Sequence, residues 1–421
     1  MAWATRTSNY QWACPTTTKS PSRKALRWSG LAPPSSARGE AMSVINAALI
    51  NEKRVIETFK ELIEIPSPSF QEQEIGRRLV EMLRRLSFDV EMLDYEYSFN
   101  ILAHKRGSIS GATSLLLSAH MDTVQPTPAA LSYSHQDGLI ASTGETILGA
   151  DDKSGIAEII EALTILEETG HPHGDIEVLF TSAEERGLYG ARHVDYGKIR
   201  SRYALVLDSS GEVGRIVLAA PTHVTYRMTI TGRAAHAGIE PEKGTNSIIA
   251  AARIISAIAD GRINADTTAN VGIIHGGSAT NIVPSETVVD GEFRSLTPAT
   301  LDKLMTTTFN TAKDIARKNQ VKLAIRHERL YEGYSFEPTE PFVQIISGAI
   351  ERCRLESACV SSGGGSDANI FNQHGIMAIP LSTGMQKPHT VEEYIYTNDL
   401  LRGSLLVLEV IASLAQRIRE D

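Results

Sequence analysis

Residues 175–187 read DIEVLFTSAEERG. Ile176 to Phe180 are apolar save for Glu177, the pattern of a strand largely buried on both faces. Glu184 and Glu185 then stand side by side where that strand ends. Adjacent carboxylates repel, and neither gains from an apolar strand end. A solvated turn is the plain explanation; a cationic group at the strand end is the sharper one.

The same grammar continues on either side. Residues 51–65 carry apolar side chains at helical spacing and stop at Pro66 and Pro68, and 72–88 form a second amphipathic segment. A strand is expected over 114–120, a helix over 151–170 closed by Gly170, and a strand over 203–209. Apolar strands alternating with amphipathic helices predict an α/β fold, a mostly parallel sheet with helices on both faces. From 223 the character changes. Strands over 223–232, 269–277, 285–296 and 321–331, with helices over 246–261 and 298–319, give the order βαββαβ of a ferredoxin-like unit. The α/β pattern then resumes with a helix over 341–354, a glycine-rich loop over 362–366, a strand over 376–382 and a helix over 398–419. The expected division is an extension over 1–43, a main domain over 44–220 and 333–421, and an inserted module over 221–332.

Composition narrows the function classes. The 421 residues are 42% hydrophobic and 22% charged, with net charge −9, which argues against a nucleic-acid or anionic-membrane surface as main partner. No apolar run approaches the roughly 20 residues that span a bilayer. Only Cys14, Cys353 and Cys359 are present, which fits a reducing compartment and packed thiols rather than a disulfide scaffold. Residues 1–41 differ from the rest. They hold Trp3, Trp12 and Trp28, and six basic residues against Glu40 alone. They lack a secretory apolar core and any periodic pattern, so a disordered or artefactual extension is expected, with Met42 as the true start.

The acids and histidines fall in a telling place. His120 and Asp122, at i and i+2, share a face of an extended segment. Asp151 opens a helix, Glu184 and Glu185 follow a strand, Asp208 ends another, and His389 lies in a loop before a Thr390–Glu393 capping-box pattern. All sit at or beside carboxyl ends of expected strands, the edge where open α/β sheets bind ligands. Each has an ordinary explanation alone, as a chance pair, a helix cap or a solvated turn. Together they make an N/O donor set that suits Zn²⁺, and five donors suit two ions rather than one.

The stretches SAHMDTV, LGADDKSGIAEI, TSAEERGLYGA, LDSSGEVG, AAHAG, GGSDAN and KPHT resemble, in this order, the zinc-dependent family of peptidase T, glutamate carboxypeptidase, acetylornithine deacetylase and aminoacylase. The resemblance is closest to peptidase T-like tripeptide aminopeptidases and spans about residues 50–415. It implies a cytoplasmic homodimer joined through the inserted lid, short peptide substrates, and two Zn²⁺ per subunit, with Co²⁺ or Mn²⁺ as substitutes. His120 and Asp208 would hold one ion, Glu185 and His389 the other, and Asp151 would bridge them. Asp152 would be a neighbour, Asp122 would orient His120, and Glu184 would be the general base. Extended backbone at 184–185 would point the two glutamates apart. His236 would act in the partner subunit's site. Asn281, Arg294, Gly365 and Ser366 would contact substrate. Gly291 and Gly363 stand where the family's peptidase T pattern has arginines. An N-acyl-amino-acid deacylase shares every metal ligand, and a non-catalytic scaffold would be expected to lose Glu184.

Overall fold

A computed structural model describes residues 11–12, 45, 47–124 and 131–416. The readings of the 1–43 extension therefore lie outside the described residues, save that Gln11–Trp12 pair with 359–360.

The central sheet is mixed. The strands Met377–Ser382, Tyr203–Ser209, Leu115–His120 and Ile176–Thr181 lie side by side and parallel. Phe99–Lys105 and Asp89–Asp94 extend this run antiparallel at one end, and Arg215–Ala220 and Ala358–Ser361 complete the other. Side chains alternate across it as period-2 geometry requires. Leu115, Leu117, Val178, Phe180, Leu205 and Leu207 join one apolar core, while Leu116, Leu179, Ala204 and Val206 join another on the opposite face. Helices cover both faces. Glu52–Glu64, Ala150–Thr169, Pro341–Arg352 and Thr397–Gln416 bury their apolar sides in the first core, and Asp367–Gln373 packs into the second.

The helix Ala150–Thr169 is buried on every side through Leu163. It lies so close to the strand carrying Asp208 that a Cβ on Gly155 would sit 2.2 Å from the Leu207 carbonyl oxygen. Gly155→Ala is thus expected to destabilise the fold by roughly 1–3 kcal/mol, the usual cost of overpacking; chemical denaturation checks it, and an unchanged midpoint would contradict the packing.

Residues 222–331 build a separate five-stranded antiparallel sheet with its own core. Its order is Gly261–Asn264, Thr267–Gly276, Glu286–Ser295, Thr222–Thr231, Lys322–Tyr331. The last four strands with helices Ser247–Ile255 and Pro298–Lys318 reproduce the expected ferredoxin-like arrangement. Several strands escape the sequence reading. Asp89–Asp94 is an edge strand exposed at most positions, and Tyr133–Gln136, Leu139–Ser142 and Tyr394–Tyr396 form a small sheet of four residues or fewer per strand. Cys353 carries a free thiol, but Cys359 is disulfide-bonded, so the reading of both as packed thiols holds for Cys353 alone. Among the described residues no helix is long and apolar enough to cross a membrane.

Candidate metal centre

Five elements converge at the carboxyl edge of the parallel strands. His120 ends one strand and Asp208 lies near the end of its neighbour. Asp151 sits in the first turn of its helix with non-helical angles (φ −84°, ψ 105°). Glu184 and Glu185 occupy a 3-10 turn, Glu184–Arg186, entered through Ala183 at φ 50° and left through Gly187 at φ 81°. The expectation that extended backbone separates the two glutamates is therefore corrected: they occupy a tight turn, and an oxygen of each lies within 4.8 Å of the other. His389 comes from the loop after Met377–Ser382, at φ 63°.

The Asp151 carboxylate is the hub. One oxygen lies 3.1 Å from His120 Nε2 and the other 3.1 Å from His389 Nε2. His389 Nε2 is also 2.8 Å from Glu185 Oε1, and His120 Nε2 is 3.9 Å from Asp208 Oδ1. Donor atoms of three sets gather within 4.8 Å: His120, Asp151 and Asp208; Asp151, Glu185 and His389; and His120, Glu184 and Glu185. The donors fit a divalent ion. They are all nitrogen and oxygen, and His120 Nδ1 is bonded to the Asp122 carbonyl at 2.8 Å, which turns Nε2 inward. Asp152 contacts His120 only through its backbone, accepting its N–H at 3.2 Å, as a neighbour would.

Electrostatics point the same way. Burial pushes the Glu184, Asp208 and Asp152 carboxyls well above the usual carboxylate range, and neighbouring acids add to this. Burial acts likewise on Asp151, but the His120 and His389 imidazoles outweigh it and hold this carboxyl low. Hydrogen bonds donated to the Asp151 and Glu185 carboxylates push His389 up to about 10. So many buried carboxyls in one place would be stabilised as anions by a dication among them.

Three buried carboxylates hold the site together. Asp122 accepts the backbone N–H of Glu184 at 2.9 Å and of Glu185 at 3.2 Å, and the Ser69 hydroxyl at 2.7 Å. Its carboxylate thus fixes the acid turn, and its carbonyl orients His120. Glu393 does not close a capping box with Thr390. It is 1% exposed and accepts N–H bonds from Leu148, Gly149 and Asp151 at 2.7–3.1 Å, capping the loop that presents Asp151. Glu72 accepts from Phe70, Ala183 and Ser98. The sequence reading missed Glu72 and Glu393 because their partners are remote. Glu72 had no sharper signal than helix-start acidity, and Glu393 looked like a local cap.

The expected substrate contacts are placed differently. His236 and Asn281 lie on exposed, facing loops of the lid, where His236 bridges to Ile282 and Ala237 N–H donates to the Asn281 carbonyl. Within one chain His236 makes no hydrogen bond or ion pair with the acid cluster. Arg294 forks onto Glu292 at 2.9 and 3.2 Å, while its Nη1 lies 3.8 Å from where a Cβ on Gly364 would be. A Cβ on Gly365 would sit 2.4 Å from the Tyr331 ring, so glycine there makes room for the phenol, whose oxygen accepts the Gly365 N–H at 3.1 Å. Ser366 caps the Asp367–Gln373 helix.

His223 and Arg294 together hold the Glu292 carboxyl down to about 2, below its ordinary 4.5. An acid depressed on folding stabilises the fold fully above about pH 4.5, and the contribution is lost as pH falls toward 2. Glu292→Gln is therefore expected to lower the melting temperature at pH 7 and to converge with the parent near pH 2. A gap independent of pH would contradict this.

The fold and centre define a class, an α/β chain with an acid–imidazole cluster suited to metal ions and an inserted ferredoxin-like module. A model of the peptidase dimerisation domain matches residues 219–320, and one of peptidase family M28 matches 100–241. The chain is 35% identical to aminopeptidase PepT of Bacillus cereus, over 87% of this chain and all of that structure, with TM-score 0.80. It is 34% identical to a tripeptidase of Staphylococcus aureus, over 88% of this chain and all of that structure, with TM-score 0.83. An uncharacterised Bacillus subtilis protein is 36% identical over 87% of this chain and its own whole length. The chain belongs to the peptidase T-like M20 peptidases, a metal-dependent family of hydrolases.

Proposed function

We propose that this chain is a dinuclear zinc aminopeptidase that hydrolyses di- and tripeptides with Glu184 as general base. The observation that carries the reading is the Asp151 carboxylate, which reaches one imidazole with each oxygen. His120, Asp151 and Asp208 would hold one ion, and Asp151, Glu185 and His389 the second. Five such donors exceed a four-coordinate site with an open position. Co²⁺ or Mn²⁺ suits the same donors.

A divalent ion supplies Lewis acidity there, polarising a peptide carbonyl and making a nearby water more acidic. Glu184 takes a proton from that water as its oxygen bonds to the carbonyl carbon. The C–N bond breaks, and Glu184 returns the proton to the leaving amine. Asp122 keeps Glu184 in place by gripping its turn. Arg294 and Asn281, with the Gly365–Ser366 backbone, would receive the peptide's carboxylate end; the free Nη1 side of Arg294 beside Gly364 favours this.

The lid would pair two subunits, with His236 reaching the partner subunit's site and donating to the developing oxyanion. The dimerisation-domain match and the exposure of His236 support this. Pre-formed mixed dimers of His236→Ala and Glu184→Ala subunits are then expected to regain activity that neither parent variant has, since one of their two sites is whole. No recovery would sink the in-trans role. Three cysteines in 421 residues favour a cytoplasmic setting, against which the bonded Cys359 counts.

Turnover of di- and tripeptides beside N-acyl amino acids, with Zn²⁺, Co²⁺ or Mn²⁺ added, tests the activity. Hydrolysis of short peptides with free amino termini is expected. Cleavage of N-acyl amino acids alone would replace the reading with a deacylase, and metal binding without any hydrolysis would make the chain a scaffold.

A further inference from the structure

A cluster of aromatic rings beside the acid turn has no part in the chemistry above. Phe99–Lys105 runs antiparallel to Ile176–Thr181 with Ile101 opposite Phe180, so the hairpin over 94–99 reaches the same sheet edge as Glu184 and Glu185. Neighbouring strands are ~4.8 Å apart, which puts that hairpin roughly 5–10 Å from the acid turn. Three rings meet there in a triangle: Phe70 to Tyr189 at 5.4 Å, Phe70 to Tyr97 at 5.9 Å and Tyr97 to Tyr189 at 6.0 Å between centroids. His193 stacks on Tyr189 at 4.3 Å and widens the wall.

This is a displayed surface. Tyr97 remains 55% exposed within the triangle, and Phe70 and Tyr189 are half-buried. Phe70 is held at φ 69°, a left-handed conformation that costs a bulky residue energy and persists only where its surroundings impose it. Glu72, fully buried, imposes it by accepting the Phe70 N–H at 2.8 Å. The same carboxylate accepts from Ala183 N–H at 2.9 Å and the Ser98 hydroxyl at 2.8 Å. One side chain therefore ties the Phe70 loop, the acid turn and the aromatic hairpin together. Asp122 adds a second tie, from Ser69 to the acid turn, and the Tyr95 hydroxyl a third, to Ser182 Oγ at 2.7 Å. Such supports fix a binding surface relative to a reacting centre.

The position in the sheet says which part of a peptide meets it. The glycine loop follows Ala358–Ser361, a strand toward the far end of the sheet, with His120 and Asp208 on strands between; Arg294, from the lid strand Glu286–Ser295, meets that loop, its Nη1 3.8 Å from where a Cβ on Gly364 would be. The cationic flank suits the carboxylate end of a peptide, which leaves the ring flank to the residue at the amino end. We propose that Phe70, Tyr97 and Tyr189 receive the side chain of the peptide's first residue and select large apolar or aromatic ones. The proposal rests on the peptidase reading for its substrate.

The test compares Phe-Ala-Ala with Ala-Ala-Ala as substrates, and phosphinic analogues of both as non-hydrolysable ligands in calorimetry, using the full chain. A large side chain in a matched apolar pocket is worth about tenfold or more in kcat/KM. The Phe-first peptide should be favoured by at least that factor. Tyr97→Ala should bring the ratio close to one, and Tyr97→Phe should restore it. A ratio near one in the parent, or an equal loss for both peptides in Tyr97→Ala, overturns the proposal and leaves the peptidase reading standing. If neither peptide is hydrolysed, that reading fails and calorimetry decides this one. A preference for the Phe analogue that Tyr97→Ala abolishes upholds the subsite; equal affinities, or no binding, overturn it.

Discussion

Glu184→Gln is expected to lower turnover by roughly 10²–10⁴-fold, the loss that follows removal of a general base, while two metal ions stay bound. The two donor sets joined by Asp151 do not include Glu184, and glutamine keeps its shape. Glu185→Gln should behave in the opposite manner. Its carboxylate lies 2.8 Å from His389 Nε2 and belongs to the second set, so metal content should fall by one ion per subunit. Excess zinc should then recover part of the activity. The two residues are neighbours in one turn, so a general disturbance of that turn would affect both measurements alike. Metal analysis and kinetics on the same preparations separate the roles. Metal loss in Glu184→Gln with full metal in Glu185→Gln would mean that the pair is assigned backwards.

Asp151→Ala should have a still larger effect. No other carboxylate among the described residues pairs with both His120 and His389. Removing it takes a shared anion from both halves of the centre. Metal should fall well below two ions per subunit and turnover by more than about 10⁴-fold, beyond what loss of the base alone removes. The Glu393 cap on the 148–151 backbone remains, so the fold should persist, and circular dichroism would show it. A variant that keeps two ions would contradict the bridging role.

That these acids and histidines gather at one edge was legible in the sequence because each follows a recognisable strand or opens a recognisable helix. Edge geometry then brings them together. The lid was legible for a similar reason, since its strands alternate and its helices are periodic. What holds the donors was not legible. Glu393 caps residues 242–245 positions earlier, and Glu72 reaches Ala183 across 111. Both acids sit where local rules offer a satisfactory use, a capping box for one and a helix start for the other, so nothing nearby advertises the distant bond. The glutamate pair shows a milder failure. The expected strand alternation does not occur there, because Ala183 and Gly187 bend the backbone into a 3-10 turn. The packing of Gly365 against Tyr331 was not legible, because only the tertiary fold brings the ring there.

Anomalous diffraction at the zinc edge, from crystals grown with zinc, tests the central claim most directly. The account predicts two peaks per subunit about 3.5–4 Å apart, one beside His120 and Asp208, the other beside Glu185 and His389, with Asp151 between them. A single peak, or two that do not share Asp151, would contradict a bridged dinuclear centre.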